Sequence, residues 1–135
     1  MKKELKQLAL CAIVALFSSC SSDTPSELAE KALTCMKNLD YKGLVDVKLM
    51  PGLKNVTSDP EIISERKAEW IEYYKELFEN TEDDEKVKSF IIVSEIINEE
   101  AQTARVKYVL ILKNDAKIGE MDFQLNKKGN WIFYF

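Results

Sequence analysis

The sequence contains no histidine. This absence excludes the Ser-His-Asp and Cys-His pairs that activate a nucleophile, and the histidine ligands of most catalytic zinc sites. Only four glycines occur, and they lie too far apart to form a phosphate-binding or dinucleotide-binding loop. We therefore expect neither a cofactor nor a metal. The four are Gly43, Gly52, Gly119 and Gly129.

The sequence also lacks an excess of positive charge. It has 19 Lys and Arg residues and 23 Asp and Glu residues, which gives a formal net charge of −4. Residues 1–19 carry three lysines and one glutamate, so the chain from Cys20 onward carries −6. An acidic surface cannot gain the counterion release that drives binding to nucleic acid. We expect no nucleic-acid partner.

The amino-terminal apolar run is too short to span a membrane. It covers ten residues, Leu8 to Phe17, whereas a bilayer core needs about 20. Lys2, Lys3 and Lys6 precede it and two serines follow it. A basic flank, a short apolar stretch and a small-residue exit are typical of a secretory signal peptide. The sequence therefore predicts a signal peptide over residues 1–19.

The residues before Cys20 resemble a bacterial lipobox, with Phe17 where leucine is common and Leu16 one position earlier. The resemblance implies cleavage between Ser19 and Cys20, and a diacylglycerol on the Cys20 thiol. The chain would then be anchored in the cell envelope by lipid. Ser21 is uncharged, which favours the outer membrane and leaves open which side the domain faces. The alternative is an ordinary signal peptide with Cys20 as a free thiol.

Two further cysteines fit this interpretation. Cys11 leaves with the signal peptide, so Cys35 has no partner for an intrachain disulfide once Cys20 carries lipid. Cys35 falls on the apolar side of a predicted helix, where a cysteine behaves as a small hydrophobic residue. With no histidine or adjacent base to form its thiolate, we expect no reactive role for it.

Three helical segments are predicted after a short tether over residues 20–23. A capping box at Thr24 to Glu27 starts the first helix, which should reach about Asn38. The second segment, from Tyr41 to about Met50, fits a helix or a strand, and Pro51-Gly52 should end it. Ser58-Asp59-Pro60-Glu61 starts the third helix, which should reach about Asn80.

The last third of the chain changes to β-branched and aromatic residues with hairpin-sized connections. Alternation along the second and third strands places one apolar face against the helices. The fold class is therefore α+β, with a four-stranded antiparallel meander after the helices. The predicted strands are Val87 to Ile97, Ala104 to Leu112, Ile118 to Leu125 and Trp131 to Phe135.

This order of elements resembles the small bacterial lipoproteins that carry a domain of unknown function with a nuclear-transport-factor-2-like, or cystatin-like, fold. The resemblance rests on the lipobox, the Thr24-Pro25 helix start, the helix exit at Asn38 to Tyr41, and the Gly129-Asn130-Trp131 hairpin. It implies one domain over residues 24–135. It also implies a curved sheet packed on the long third helix, around a cone that holds a small ligand in some relatives.

Aromatic residues of the third helix and the sheet would line this cone. They suit a small apolar ligand, since tyrosine and tryptophan combine apolar bodies with a polar tip. The alternative is that they fill the core, because a domain of this size needs most of its aromatic residues to fold. The pocket residues are Trp70, Tyr74, Tyr108, Phe123 and Trp131.

The second face of the sheet, called the outer face below, carries an apolar group among charges. Such a surface can dock an envelope protein or a second copy of the chain, or it can be ordinary exposed β-branched residues. The apolar members are Val109, Ile111, Ile132 and Tyr134, and the charges are Arg105, Lys107, Glu120 and Asp122.

Two acidic features are weaker candidates for a functional site. Glu95 could be a general base in an apolar pocket, but an acidic residue in a strand more often faces solvent. The acidic run Glu79 to Glu85 lacks the ligand spacing of a calcium loop, so a solvated loop is favoured. We therefore predict a non-catalytic binding domain, with an interaction or homodimeric scaffold module and a carboxylate-dependent isomerase or hydro-lyase as alternatives.

Overall fold

The computed structural model describes residues 23–134. The predicted signal peptide, the Ser19–Cys20 cleavage site and residues 20–22 of the tether lie outside the described residues, as does Phe135. Helices precede strands, in the α+β order that the sequence predicts. The elements are α1 (Pro25–Lys37), α2 (Tyr41–Leu44), a π-helical stretch (Val45–Leu49), α3 (Met50–Val56), α4 (Pro60–Glu79), a 3₁₀ turn (Asp83–Glu85), β1 (Ser89–Asn98), β2 (Thr103–Ile111), β3 (Ala116–Leu125) and β4 (Trp131–Phe133).

Helix α1 begins with the predicted capping box. The Thr24 hydroxyl accepts a hydrogen bond from the Glu27 amide at 3.2 Å, and the Glu27 carboxylate accepts one from the Thr24 amide at 3.3 Å. These bonds satisfy amides that have no partner inside the helix. Ala29, Ala32 and Leu33 are fully buried on one face of α1.

The ambiguous second segment is helical, and the prediction that Pro51-Gly52 ends it is wrong. The Met50 amide donates to the Val45 carbonyl five residues back, which is the π-helical register. Pro51 then falls in the first turn of α3, where a residue without an N–H costs no helical hydrogen bond. The chain therefore stays helical as far as Val56.

The sheet is an antiparallel meander in the order β1-β2-β3-β4. The β1–β2 register shifts between Ile92 and Ser94, which marks a β-bulge at Val93. Beyond the bulge, Glu95 pairs with the buried Val106 and therefore shares the face that packs on the helices. Without the extra residue the alternation would turn Glu95 outward.

Helix α1 covers the sheet, and the long helix α4 reaches it only at the margin. The larger buried cluster joins the small α1 residues to the sheet, whereas α4 has no fully buried residue and adds the half-buried Tyr74 and Phe78. The predicted packing of the sheet on the long helix is thus limited to these two side chains. The cluster contains Ala29, Ala32, Leu33, Leu44, Ala104, Val106, Met121, Phe123 and Phe133.

Candidate functional site: the outer face of the sheet

The five predicted pocket residues belong to two packed clusters. Tyr74, Tyr108 and Trp131 are half-buried against the larger cluster, and Phe123 lies inside it. Trp70 packs instead against a smaller cluster of Val45, Met50 and Leu53, and Tyr74 contacts both clusters. Phe123 also borders one cavity of the described residues, and Trp131 borders another.

Phe123 and Tyr108 are closely packed against their neighbours in the sheet. Phe123 has no exposed surface, and its ring centroid lies 4.6 Å from that of Phe133. The Tyr108 ring lies over Gly119, where an added Cβ would come within 2.4 Å of the phenol. Because Gly119 has no side chain, the Tyr108 ring can lie directly over the backbone of β3.

Two phenols and one thiol near the core are held in their neutral forms. Burial raises the pKa of the Tyr108 hydroxyl and that of Tyr74, so both phenols are protonated at neutral pH. Burial, followed by the charges of Asp40 and Asp46, also raises the pKa of the free Cys35 thiol. Cys35 is therefore a thiol, as its position on the apolar side of α1 suggests.

Glu95 holds a helix end. It is exposed, and its Oε1 accepts a hydrogen bond at 2.9 Å from the Ser26 amide, in the first turn of α1. A carboxylate at a helix amino terminus is favoured by the helix dipole. The suggestion of a general base in an apolar pocket is not met, because Glu95 links α1 to the sheet from a solvent-exposed position.

The acidic run after α4 forms a short exposed turn. Lys86 Nζ lies 3.4 Å from Asp83 Oδ1 and offsets part of its charge. Among residues 23–134, no group of three or more histidine, cysteine or acidic side chains is arranged to hold a metal ion.

The outer face is more apolar than the sequence analysis proposed, and its membership differs. Of its four predicted apolar members, Tyr134 is exposed and Val109 and Ile111 are half-buried. Ile132 is only 4% exposed and is no part of the patch. It lies on the edge strand β4, which also contacts α3 and the π-helical stretch.

Sequence analysis missed three large apolar residues of this face. Ile118 is 75% exposed, Ile96 65% and Ile91 54%. Strand pairing places Ile91, Val109 and Ile118 side by side across β1, β2 and β3. The alternation of β3 could have revealed Ile118, since the buried Met121 and Phe123 fix the opposite face. Ile96 could not have been found in this way because the bulge reverses the alternation of β1.

Charged side chains flank the apolar row in opposite-sign pairs. Arg105 Nε donates to Asp122 Oδ1 at 2.7 Å, and Arg105 Nη1 lies 3.4 Å from Glu120 Oε2. Lys107 is opposite Glu120 in the register. A cavity of about 420 Å³ opens beside them at the end of β1 and reaches two core residues, Ala104 and Phe123. Its other lining residues are Ile96, Asn98, Thr103, Arg105, Asp122 and Tyr134. The face therefore combines exposed apolar surface with balanced charge.

No family model and no curated protein matches this chain. A crystal structure from Campylobacter jejuni, of a protein described as a candidate NTF2-like transpeptidase, is similar with a TM-score of 0.55 and 16% sequence identity. The match covers 84% of this chain and 99% of that one. At this identity the likeness concerns the fold alone. The described chain thus has a nuclear-transport-factor-2-like fold, as the order of its elements predicts.

Proposed function

We propose that this chain is a lipid-anchored cell-envelope protein whose domain acts by binding and not by catalysis, and that the outer face binds a second copy of the chain. The observation that carries the proposal is the row of Ile91, Val109 and Ile118 across three strands, in which Ile91 and Ile118 are exposed and Val109 between them is half-buried. Large contiguous apolar patches are uncommon on monomers and mark interaction surfaces.

The charge distribution of the outer face favours a second copy as its partner. A two-fold interface brings the same patch from both subunits together, so the patch must complement itself. Arg105 and Lys107 are balanced by Glu120 and Asp122 on the neighbouring strand. A rotated copy can therefore set cations opposite carboxylates while the apolar rows meet. A patch of one charge sign would repel its copy.

The anchor is proposed from the sequence around Cys20. The basic flank, short apolar run and lipobox-like exit support acylation of Cys20 and attachment to the outer membrane. Within residues 23–134, no helix is long and apolar enough to cross a bilayer.

Binding without catalysis is supported by the chemistry of the described residues. The buried phenols and the Cys35 thiol are neutral at physiological pH, and Glu95 is exposed and bonded to Ser26. The isomerase alternative therefore loses its nominated base. The close packing of Phe123 and of Tyr108 over Gly119 supports a surface contact in preference to a small ligand in the cone.

Self-association of residues 21–135 tests the partner. Sedimentation equilibrium should give the mass of a dimer, and Ile118→Asp should give a monomer, because it places a charge in the middle of the apolar row. Val56→Asp is the matched control, since Val56 is 66% exposed at the end of α3 and outside the outer face. A wild-type mass that stays monomeric near millimolar concentration would contradict the proposal.

The anchor has a separate test in cells. The intact mass of the membrane-extracted protein should include acyl chains, and Cys20→Ala should move the protein out of the membrane fraction. Unacylated full-length protein free in the cytosol would overturn the envelope assignment.

A further inference from the structure

A second surface, at the end of the sheet that carries the β3–β4 turn, is basic, whereas the outer face is apolar with balanced charge. A cleft of about 500 Å³ lies between α1, α3 and this turn. Its rim carries Lys54, Lys127 and Lys128, and Trp131 contributes to its wall. We call it the basic cleft. It shares no residue with the cavity on the outer face.

The β3–β4 turn holds its lysines on a fixed backbone. Asn126 Oδ1 accepts hydrogen bonds from the amides of Lys128 and Asn130 at 3.0 and 2.9 Å. Gly129 adopts a φ of +80°, which other residues rarely tolerate, and its amide donates to the Asn126 carbonyl at 3.0 Å. Little backbone freedom is therefore lost when the turn meets a ligand.

The basic cleft is a local exception on an acidic chain. Among residues 23–134, no carboxylate forms an ion pair with Lys54, Lys127 or Lys128. Asp23 also lines the cleft, but Lys31 Nζ lies 2.5 Å from its Oδ2 and offsets its charge. An anion can thus approach the basic cleft itself, although the chain as a whole is acidic and the β1–β2 turn at the same end of the sheet carries Glu99 and Glu100.

The position of the cleft along the chain indicates the source of that anion. Asp23, on the cleft wall, is three residues after Cys20. Each residue spans at most about 3.6 Å, so the two Cα atoms lie within about 11 Å. Resting on the proposed anchor, this distance keeps the cleft close to the headgroups in which the acylated Cys20 is embedded.

We propose that the basic cleft docks the domain on the membrane that holds its anchor, with its three lysines bound to the phosphates of anionic phospholipids. Trp131 then meets the headgroup region, where indole rings are favoured. Each lysine near an anionic surface strengthens attraction about fivefold, so the three together contribute about 100-fold to the ratio of docked to undocked molecules.

Quenching of Trp131 by brominated phospholipid measures docking. The full chain, extracted from membranes, carries Trp70→Phe so that Trp131 is its only tryptophan. It is reconstituted into phosphatidylcholine vesicles with or without 30% phosphatidylglycerol. Quenching should be strong only in the anionic vesicles. Lys54→Gln/Lys127→Gln/Lys128→Gln should lower the docked ratio by about two orders of magnitude.

The matched control has the same loss of charge at the opposite end of the sheet. Lys88→Gln/Lys113→Gln/Lys117→Gln should leave quenching unchanged, because these residues lie at the end that carries the β2–β3 turn. If Trp70→Phe does not fold, protection of Lys127 and Lys128 from a water-soluble amine reagent replaces the fluorescence. Protection should appear only with anionic vesicles.

The outcomes separate this proposal from the anchor. Acylated protein whose quenching is equal in the wild type and the cleft variant overturns docking and leaves the anchor intact. Protein without acyl chains overturns the anchor, and lysine-dependent quenching in vesicles mixed with that protein still supports the cleft. Loss of quenching on adding millimolar inorganic phosphate, at constant ionic strength, overturns the lipid as the occupant and indicates a soluble anion.

Discussion

Removing the Phe123 ring tests most directly whether the cone is filled. Phe123 is fully buried, and its ring lies 4.6 Å from that of Phe133. A Phe→Ala change at such a site costs about 3 to 5 kcal/mol, because apolar burial is lost and a cavity is left. This is a large share of the 5 to 15 kcal/mol that is typical of a whole domain. We therefore expect Phe123→Ala to lower the free energy of unfolding of residues 21–135 by about 4 kcal/mol.

Urea denaturation followed by circular dichroism measures this loss. With an m-value of about 1 to 2 kcal/mol per M, the midpoint should fall by about 2 to 4 M. Phe123→Leu keeps more of the buried volume and serves as a milder variant if the alanine variant does not fold. Val56→Ala is the control, since Val56 is 66% exposed outside the outer face and its loss should cost less than about 0.5 kcal/mol.

A ligand pocket would give a different result. A Phe123 ring that lines an open cone would contribute to binding more than to stability, so its removal would cost little. A loss below about 1 kcal/mol at an unchanged m-value would therefore refute the filled core. It would return the small-ligand hypothesis to first place.

Two further predictions concern charge. Glu95→Gln keeps an acceptor for the Ser26 amide but removes the charge at the amino terminus of α1, so it should cost about 0.3 to 1 kcal/mol at low salt. This loss of stability should vanish in 1 M salt, which screens the charge. The control Glu100→Gln, in the β1–β2 turn, should leave stability unchanged. A loss that does not depend on salt would contradict the dipole argument. Burial raises the pKa of Tyr108 in the folded state, so the unfolded chain ionises first and stability is lost as pH rises above about 10. Tyr108→Phe should reduce that loss of stability between pH 9 and 11, which urea midpoints measure, with Tyr134→Phe as the control. If the urea midpoint of Tyr108→Phe falls with pH as steeply as that of the wild type, the argument is contradicted.

Local signals predicted the elements that depend on local chemistry. The capping box at Thr24 is formed as expected, because its hydrogen bonds join residues three apart. The alternation of β2 placed Ala104 and Val106 on the helix-facing side, where both are buried. The sequence could not show which helix would cover them, since that depends on how closely α1 and α4 approach the sheet.

The β-bulge explains most of what could not be predicted about the candidate site. One extra residue at Val93 reverses the alternation of β1, so that inward-facing and outward-facing positions are exchanged in the rest of the strand. Glu95 turns toward α1, and Ile96 turns to the outer face. The sequence of β1 reads as a regular strand, and the shift appears only in its pairing with β2. The same extra residue thus gives α1 a helix-terminal carboxylate and places Ile96, in place of Ile97, on the outer face.

The two proposed surfaces are compatible because they share no residue. The basic cleft is at the strand ends beside the β3–β4 turn, whereas the row of Ile91, Val109 and Ile118 runs across the strands. A domain docked through its turn therefore keeps its outer face free, and two copies on one bilayer can bring these faces together. Confinement to a surface raises the effective concentration of each copy for the other. A small apolar row flanked by balanced charges can thus suffice for association on the membrane, where the same contact between freely diffusing domains needs high concentration.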